Sequence, residues 1–315
     1  MGLRDELTRR GRTLLACLAL VGCQGGPATQ TCQMVHVTDL KVLRQGRAFF
    51  TEIAINGQPA VVQVDTGSSD NLITEDAAHR LGMKVSVSGD VYVEGVGGRQ
   101  MAGTAQSREV SLGDAHGKQL AFSTIPDRVH HLGADGLLGM NFLYGFDLDL
   151  DFWGGHVGLY KTIGGCDSPR AALAQPLYSV DLLPGTGTSP EVMVSINGQS
   201  LQAMIDTGAD RTTIFRQAAR RAGLITGDLA DGLKFGGVGL RAVKGERRIS
   251  APVVIGDLTI SKLPVNVVDQ RTLGDVDMLL GFDFVTHVHV WISHSSRTVI
   301  MQYPPLPTQS ADHAM

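Results

Sequence analysis

The chain has 315 residues, 43% of them hydrophobic, with a mean hydropathy of +0.06 and a formal charge of −4. That length allows two domains or one large bilobal body with ample core, and the composition excludes a disordered or polytopic chain. A mildly acidic balance without a basic cluster or aromatic platform removes the electrostatic case for nucleic acid.

The first 22 residues read as an export signal that stands outside the fold. Arg4, Arg9, Arg10 and Arg12 make a basic start, diluted by Asp5 and Glu6, and residues 14–21 form an apolar run too short to span a bilayer. The run ends Leu20-Val21-Gly22-Cys23, which resembles the lipobox of bacterial lipoproteins. That resemblance implies cleavage before Cys23, lipidation of its sulfur, and a chain tethered in the bacterial cell envelope. Gln24 in the next position implies, by the same resemblance, the outer membrane, with the chain facing the periplasm. An ordinary secretory signal with a chance Cys is the plain alternative, and Arg9-Arg10 also fits a twin-arginine route. Cys17 leaves with the signal. Cys32 and Cys166 then remain as an even pair in an oxidising compartment, a candidate disulfide whose proximity the sequence does not establish. No CxxC or Cys/His spacing suits a metal, so neither metal nor cofactor is expected.

Residues 23–45 read as a lipid-anchored linker with one short strand. A first lobe is expected over 46–163, a Pro-rich connection over 164–190, a second lobe over 191–303, and a frayed tail over 304–315. The 39 glycines and short alternating apolar runs predict mostly β structure with one short helix per lobe. Asn56-Gly57 and Asn197-Gly198 each join two such runs and predict hairpins. Helices are predicted over 75–81 and 216–222, with Thr74 and Thr213 as N-caps and Gly82 and Gly223 as left-handed C-caps.

These elements recur because the chain contains the same unit twice. Asp-Thr-Gly occurs at Asp65-Thr66-Gly67 and at Asp206-Thr207-Gly208, and from 65 to 206 the offset is 141. The same offset carries the Asn-Gly turns onto one another, and Ala77-Ala78 onto Ala218-Ala219. Asp135-Gly136-Leu137-Leu138-Gly139 corresponds to Asp277-Met278-Leu279-Leu280-Gly281. The repeat is a duplication of one large unit rather than a solenoid.

One acidic residue in a tight Gly turn of each copy points to two carboxylates meeting across a pseudo-two-fold axis. Amide hydrolysis by water needs a base for the water and an acid for the carbonyl oxygen. Two adjacent carboxylates cannot both ionise, so they share a proton and supply both roles. Asp65 and Asp206 are the candidates. Gly67 and Gly208 let the backbone approach them, and Ser68 can donate to Asp65 where Ala209 cannot donate to Asp206. That difference predicts Asp65 to be the readier to ionise.

Hydrophobic-Asp-Thr-Gly followed by Ser or Ala, a Gly-rich hairpin and a hydrophobic-hydrophobic-Gly element, each present twice, resemble the pepsin and retropepsin clan of aspartic proteases. Leu138-Gly139-Met140-Asn141-Phe142-Leu143 is similar to the retropepsin form of the last element. The resemblance spans nearly all of the mature chain. It implies an all-β, bilobal fold of two barrel-like lobes and an endopeptidase acting on an extended peptide or protein, as a monomer with an internal pseudo-two-fold. It also implies that the Thr66 and Thr207 hydroxyls bond across to the opposite loop. The glycine-rich tips at Gly95, Gly97 and Gly98, and at Gly236, Gly237 and Gly239, would be flaps, with one or both closing. Ordinary glycine hairpins are the plain alternative. The rival function from another class is a catalytically silent envelope lipoprotein that binds peptide or polymer in the same cleft.

Other clusters weigh less. His287 and His289, expected on one strand face with His294 beyond, read as a surface or interface strand rather than a metal site. Asp147, Asp149 and Asp151 read as an acidic solvated face.

Overall fold

The computed structural model describes residues 33–45, 48–126, 133–163, 176–227, 229, 233–235, 242–270 and 274–303. The export segment, Cys23, Cys32, Cys166, Gly236, Gly237, Gly239 and the tail lie outside these residues.

Each lobe grows from one hairpin. Strands Ala48–Ile55 and Gln58–Val64 turn through Asn56 (φ 54°) and Gly57 (φ 80°), and Glu191–Ile196 and Gln199–Ile205 through Asn197 (φ 53°) and Gly198 (φ 74°). Positive φ at both turn positions matches the twist of the paired strands, and Asn and Gly bear it at least cost. The two Asn side chains also act at a distance. Asn56 Nδ2 donates to the Leu81 carbonyl and Asn197 Nδ2 to the Ala222 carbonyl, both at 2.8 Å. Leu81 and Ala222 end the helices Glu75–Arg80 and Arg216–Arg221, so each hairpin turn is pinned to its lobe's helix. Gly82 (φ 61°) and Gly223 (φ 69°) then turn the chain left-handed, as expected.

The N-caps differ between copies. Thr74 Oγ1 accepts from Ala77 N–H at 3.2 Å, but the second helix is capped by Phe215 without a side-chain bond. Thr213, expected as that cap, lies two residues earlier in strand Thr213–Phe215. The duplication offset puts Phe215, not Thr213, opposite Thr74. Each lobe also carries a second short helix, Met140–Leu143 and Phe282–Val285, where only one per lobe is expected. A single turn is too short to display a period. It forms here because Gly139 and Gly281 start it in extended conformation directly after the buried Leu-Leu pairs.

The described residues form three sheets. One of ten strands belongs to the first lobe and one of nine to the second. In each, the central strand after the Asn-Gly turn runs parallel to a buried three-residue strand, Gly136–Leu138 or Met278–Leu280. A third sheet of six antiparallel strands joins the lobes, in the order Gln33–Asp39, His156–Ile163, Asp147–Asp151, His289–Ser293, Thr298–Gln302, Tyr178–Asp181. At its centre Leu148 faces Ile292 and Leu150 faces Val290. These residues belong to one hydrophobic cluster that runs through both lobes. Phe49, Phe152 and Phe282 continue it edge to face, with centroids 4.9 and 5.0 Å apart.

The other face of that sheet buries carboxyl groups beside Trp291 and Ile300. Asp147 and Asp149 are 3% and 7% exposed, so the expected solvated face is wrong for both. Asp147 accepts from Thr162, Ser293 and Ser295, which satisfies its oxygens inside the seam. His289 opens its strand rather than sharing one with His287. Its Nε2 meets Asp149 Oδ1 at 2.6 Å across the lobe boundary, while His156 approaches the other oxygen at 3.4 Å. His287 instead bonds the Asp283 carbonyl.

Burial would raise Asp149, but hydrogen bonds and charge from His156 and His289 hold it below its ordinary value. The Asp149 hydrogen bond raises His156; burial would lower His289, and Asp149 reverses that. The raised imidazoles stabilise the fold below about pH 6.5, and that contribution is lost as pH rises through their folded pKa values. The depressed carboxylate contributes above about pH 4 and is lost as pH falls. The contribution of this cluster is therefore greatest in mild acid. Asp149→Asn lowers the melting temperature there and flattens its decline between about pH 6 and 8. Calorimetry across pH reads this directly, and an unchanged slope in the variant contradicts it.

Candidate active site

The two Asp-Thr-Gly turns sit at the carboxyl ends of the central strands Gln58–Val64 and Gln199–Ile205. Each aspartate's own N–H continues the parallel ladder, Asp65 to the Leu138 carbonyl at 3.0 Å and Asp206 to the Leu280 carbonyl at 2.9 Å. Leu137, Leu138, Leu279 and Leu280 are buried beneath the turns. Gly139 and Gly281 follow because no side chain fits: a Cβ would collide with the backbone of Asp70 in one lobe and of Arg211 in the other.

The turns face one another and exchange hydrogen bonds. Thr66 Oγ1 donates to the Ile205 carbonyl and Thr207 Oγ1 to the Val64 carbonyl, both at 2.7 Å. In return Thr66 N–H donates to Thr207 Oγ1 and Thr207 N–H to Thr66 Oγ1, both at 3.1 Å. Both threonines are fully buried, so these four bonds lie away from competing water. The cross-bonding expected from the resemblance is present in both directions.

That exchange brings Asp65 and Asp206 together. A Cβ on Gly67 would overlap the Asp206 carboxyl, and one on Gly208 would overlap that of Asp65. Only glycine allows the approach. Each carboxyl accepts two backbone N–H groups on one oxygen, from Gly67 (2.9 Å) and Ser68 (3.0 Å) for Asp65, and from Gly208 (2.9 Å) and Ala209 (3.0 Å) for Asp206. Asp206 is buried and Asp65 partly exposed.

Ser68 does not play the part expected of it. Its hydroxyl donates to the Asp70 carbonyl at 2.7 Å, leaving Asp65 no donor that Asp206 lacks. Burial, and then the facing Asp206 charge, pushes Asp65 well above the usual carboxylate range. Burial pushes Asp206 up as well, against the N–H bonds of Ala209 and Gly208 and a hydrogen bond with Asp65. The expectation that Asp65 ionises more readily therefore loses its basis. The environment favours one proton held between two carboxyls that titrate together.

The first glycine hairpin, Lys84–Gly95 with Gly98–Gln106, reaches the opposite lobe. Val96 at its tip packs on a second-lobe cluster of Met204, Phe215, Val268, Val276 and Leu279, which Ala209 and Phe235 also touch. Gln270 Nε2 donates to the Gly95 carbonyl at 3.4 Å. Tyr92 stays outside, exposed beneath the Arg99 guanidinium at 4.0 Å. The second hairpin is described only as Leu233–Phe235 and Val243–Ile249.

Several supporting residues were not singled out from sequence. Gln63 Nε2 donates to the Gly208 carbonyl at 3.1 Å. Asn71 accepts Gly139 N–H at 2.9 Å, and Thr212 accepts Gly281 N–H at 3.2 Å. Thr212 in turn donates through N–H (2.6 Å) and hydroxyl (2.8 Å) to Asp283. The offset of 141 also joins Asn71 to Thr212, and a polar residue at the edge of an apolar run in both copies was the available signal.

Among the described residues no group of three or more His, Cys, Asp or Glu side chains is arranged to hold a metal ion. A comparison with curated proteins returned no match. The aspartyl protease family model matches the chain twice, over residues 51–142 and 192–284, one match in each lobe and each containing one Asp-Thr-Gly turn. The chain belongs to the aspartyl protease family.

Proposed function

We propose that the protein is an endopeptidase in which Asp65 and Asp206 together activate a water molecule against a peptide bond of an extended substrate. The observation that carries this reading is the mutual approach of the carboxyls, each in the space that a Cβ of the opposite glycine would fill. A pair holding one proton has both parts the reaction needs. The ionised member removes a proton from water as its oxygen adds to the carbonyl carbon, and the protonated member gives its proton to the carbonyl oxygen. Collapse of the tetrahedral diol breaks the C–N bond: the dyad proton passes to the leaving nitrogen while one diol hydroxyl returns its proton to the ionised carboxylate, which leaves the pair with one proton again. The crossed threonine bonds hold the carboxyls in place, so little reorganisation is needed during the reaction. The hairpin tip at Val96 and Gly97 lies over the second-lobe cluster, where it could cover a bound peptide and exclude bulk water.

We also propose that Cys23 carries the lipid that anchors the chain in the envelope. The basic start, the short apolar run and Val21-Gly22-Cys23 support this. No helix among the described residues is long and apolar enough to cross a membrane.

Cleavage of a proteome digest by the full chain is expected to yield new peptide ends that vanish in Asp65→Asn and in Asp206→Asn. Each substitution should lower kcat at least about a thousand-fold, since neither carboxyl alone provides both proton roles. Identical peptide patterns for wild type and variants would leave only a binding cleft. The rate should follow a bell-shaped pH profile. It falls in acid as the second carboxyl is protonated, and falls again as pH rises through the raised pKa and the shared proton leaves. For the anchor, Cys23→Ser is expected to move the protein from the membrane to the soluble fraction; continued sedimentation with membranes rules that assignment out.

A further inference from the structure

Beside the second-lobe turn lies a cavity of about 330 Å³ whose walls include three arginines, Arg211, Arg247 and Arg248, against one carboxyl, Asp283. In a chain of net charge −4 this is a local reversal of sign. Arg248 is held by Glu246 through Nε at 2.9 Å and Nη2 at 2.8 Å. Among the described residues no carboxylate pairs with Arg211 or Arg247, and Asp283 accepts from Thr212 instead. Arg211 and Arg247 therefore line one cavity without a carboxylate partner among the described residues.

The first lobe shows that the fold does not need them. Arg211 stands opposite Asp70 at the duplication offset. Sheet register supplies the other equivalences. Arg247 pairs with Asn266, which pairs with Thr213; in the first lobe Thr104 pairs with Ser123, which pairs with Leu72. Arg247 thus corresponds to Thr104 and, one residue on, Arg248 to Ala105. The same architecture stands in the first lobe with an acid, a hydroxyl and a methyl at these places. At these three places only the second-lobe copy is basic.

The cavity also lies within reach of the reacting bond. Arg211 follows Ala209 by two residues, and Ala209 N–H donates to the Asp206 carboxyl at 3.0 Å. Its Cα is therefore within about 8 Å of the Ala209 Cα. An extended peptide advances about 3.3 Å per residue, so a guanidinium there meets a side chain roughly two or three residues from the scissile bond. Ile249, 59% exposed, adds apolar wall that suits the methylenes of a Glu or Asp side chain.

We propose that Arg211 and Arg247 form a specificity site that selects substrates bearing an acidic side chain on the second-lobe side of the cleaved bond. The proposal rests on the endopeptidase reading of the dyad. Guanidinium and carboxylate match in charge and in paired geometry, and a substrate with an amide in that place leaves the donors half used. Because the first lobe offers no such pair, the site also fixes which way round a peptide lies in a cleft that is otherwise nearly two-fold symmetric.

The test separates recognition from turnover. The full chain carrying Asp65→Asn is titrated with fluorescein-labelled decapeptides that hold Glu or Asp, or the matching Gln or Asn, at each position in turn. The acidic member is expected to bind at least about ten-fold more tightly at one position or two adjacent ones. The preference should shrink in high salt and fall to about one in Arg211→Gln/Arg247→Gln. The kcat/KM ratios of the intact dyad should show the same preference. If acid and amide peptides bind alike, or the ratio survives the double substitution, the specificity site is overturned whether or not cleavage occurs. An acid preference in binding that the double substitution abolishes, with no cleavage by the intact chain, keeps the site and overturns the endopeptidase reading.

Discussion

The arrangement depends on one exchange of hydrogen bonds. Thr66 and Thr207 each reach into the other lobe and satisfy a strand carbonyl there, while each N–H returns a bond to the opposite hydroxyl. A net gain of about 1 kcal/mol per bond understates their role, because leaving any of these buried groups unpaired costs more than making the bond yields. The exchange fixes the distance between the turns. That distance in turn presses two carboxyls together, which requires glycine at 67 and 208 and pushes both acids upward, favouring a proton between them. The six-stranded sheet and the Phe49, Phe152 and Phe282 ladder join the lobes elsewhere.

Duplication supplies symmetry at the dyad, and divergence supplies everything directional around it. The two carboxyls have the same backbone donors at the same distances. Away from them the copies part. One helix has a threonine cap and the other has none. The hairpin of the first lobe crosses to the second, where its Val96 packs beside Phe215 and Leu279 and Gln270 bonds its Gly95 carbonyl. Asp70 in one turn is replaced by Arg211 in the other. A peptide is itself directional, so a cleft with unlike sides suits it better than a symmetric one.

Much of this was legible in the sequence, for a physical reason. Asn56-Gly57, Gly82, Gly139 and their second copies are places where local backbone geometry or close approach dictates the residue, and such constraints are written one residue at a time. The Asp-Thr-Gly turns were visible in the same way, while their threonine exchange was an expectation from the resemblance to aspartic proteases. What stayed hidden depends on partners far along the chain. Alternation showed Asp147, Asp149 and Asp151 on one face of a strand but not that His289, from the other lobe, would cover Asp149. The Ser68 hydroxyl had two acceptors within reach, and the loop turned it to the Asp70 carbonyl. Single-turn helices carry no period. Arg211, Arg247 and Arg248 come together only through sheet register, and nothing in their spacing announces it.

The central claim is that one proton is shared by two carboxyls held together by the fold. Carbon-13 NMR of the Asp65 and Asp206 carboxyl carbons across pH measures it directly, with Asp65→Asn and Asp206→Asn supplying the assignments. The account predicts two coupled steps, one of them well above the ordinary aspartate value, with both resonances moving in each step. Two independent titrations near the value of a free aspartate would contradict it.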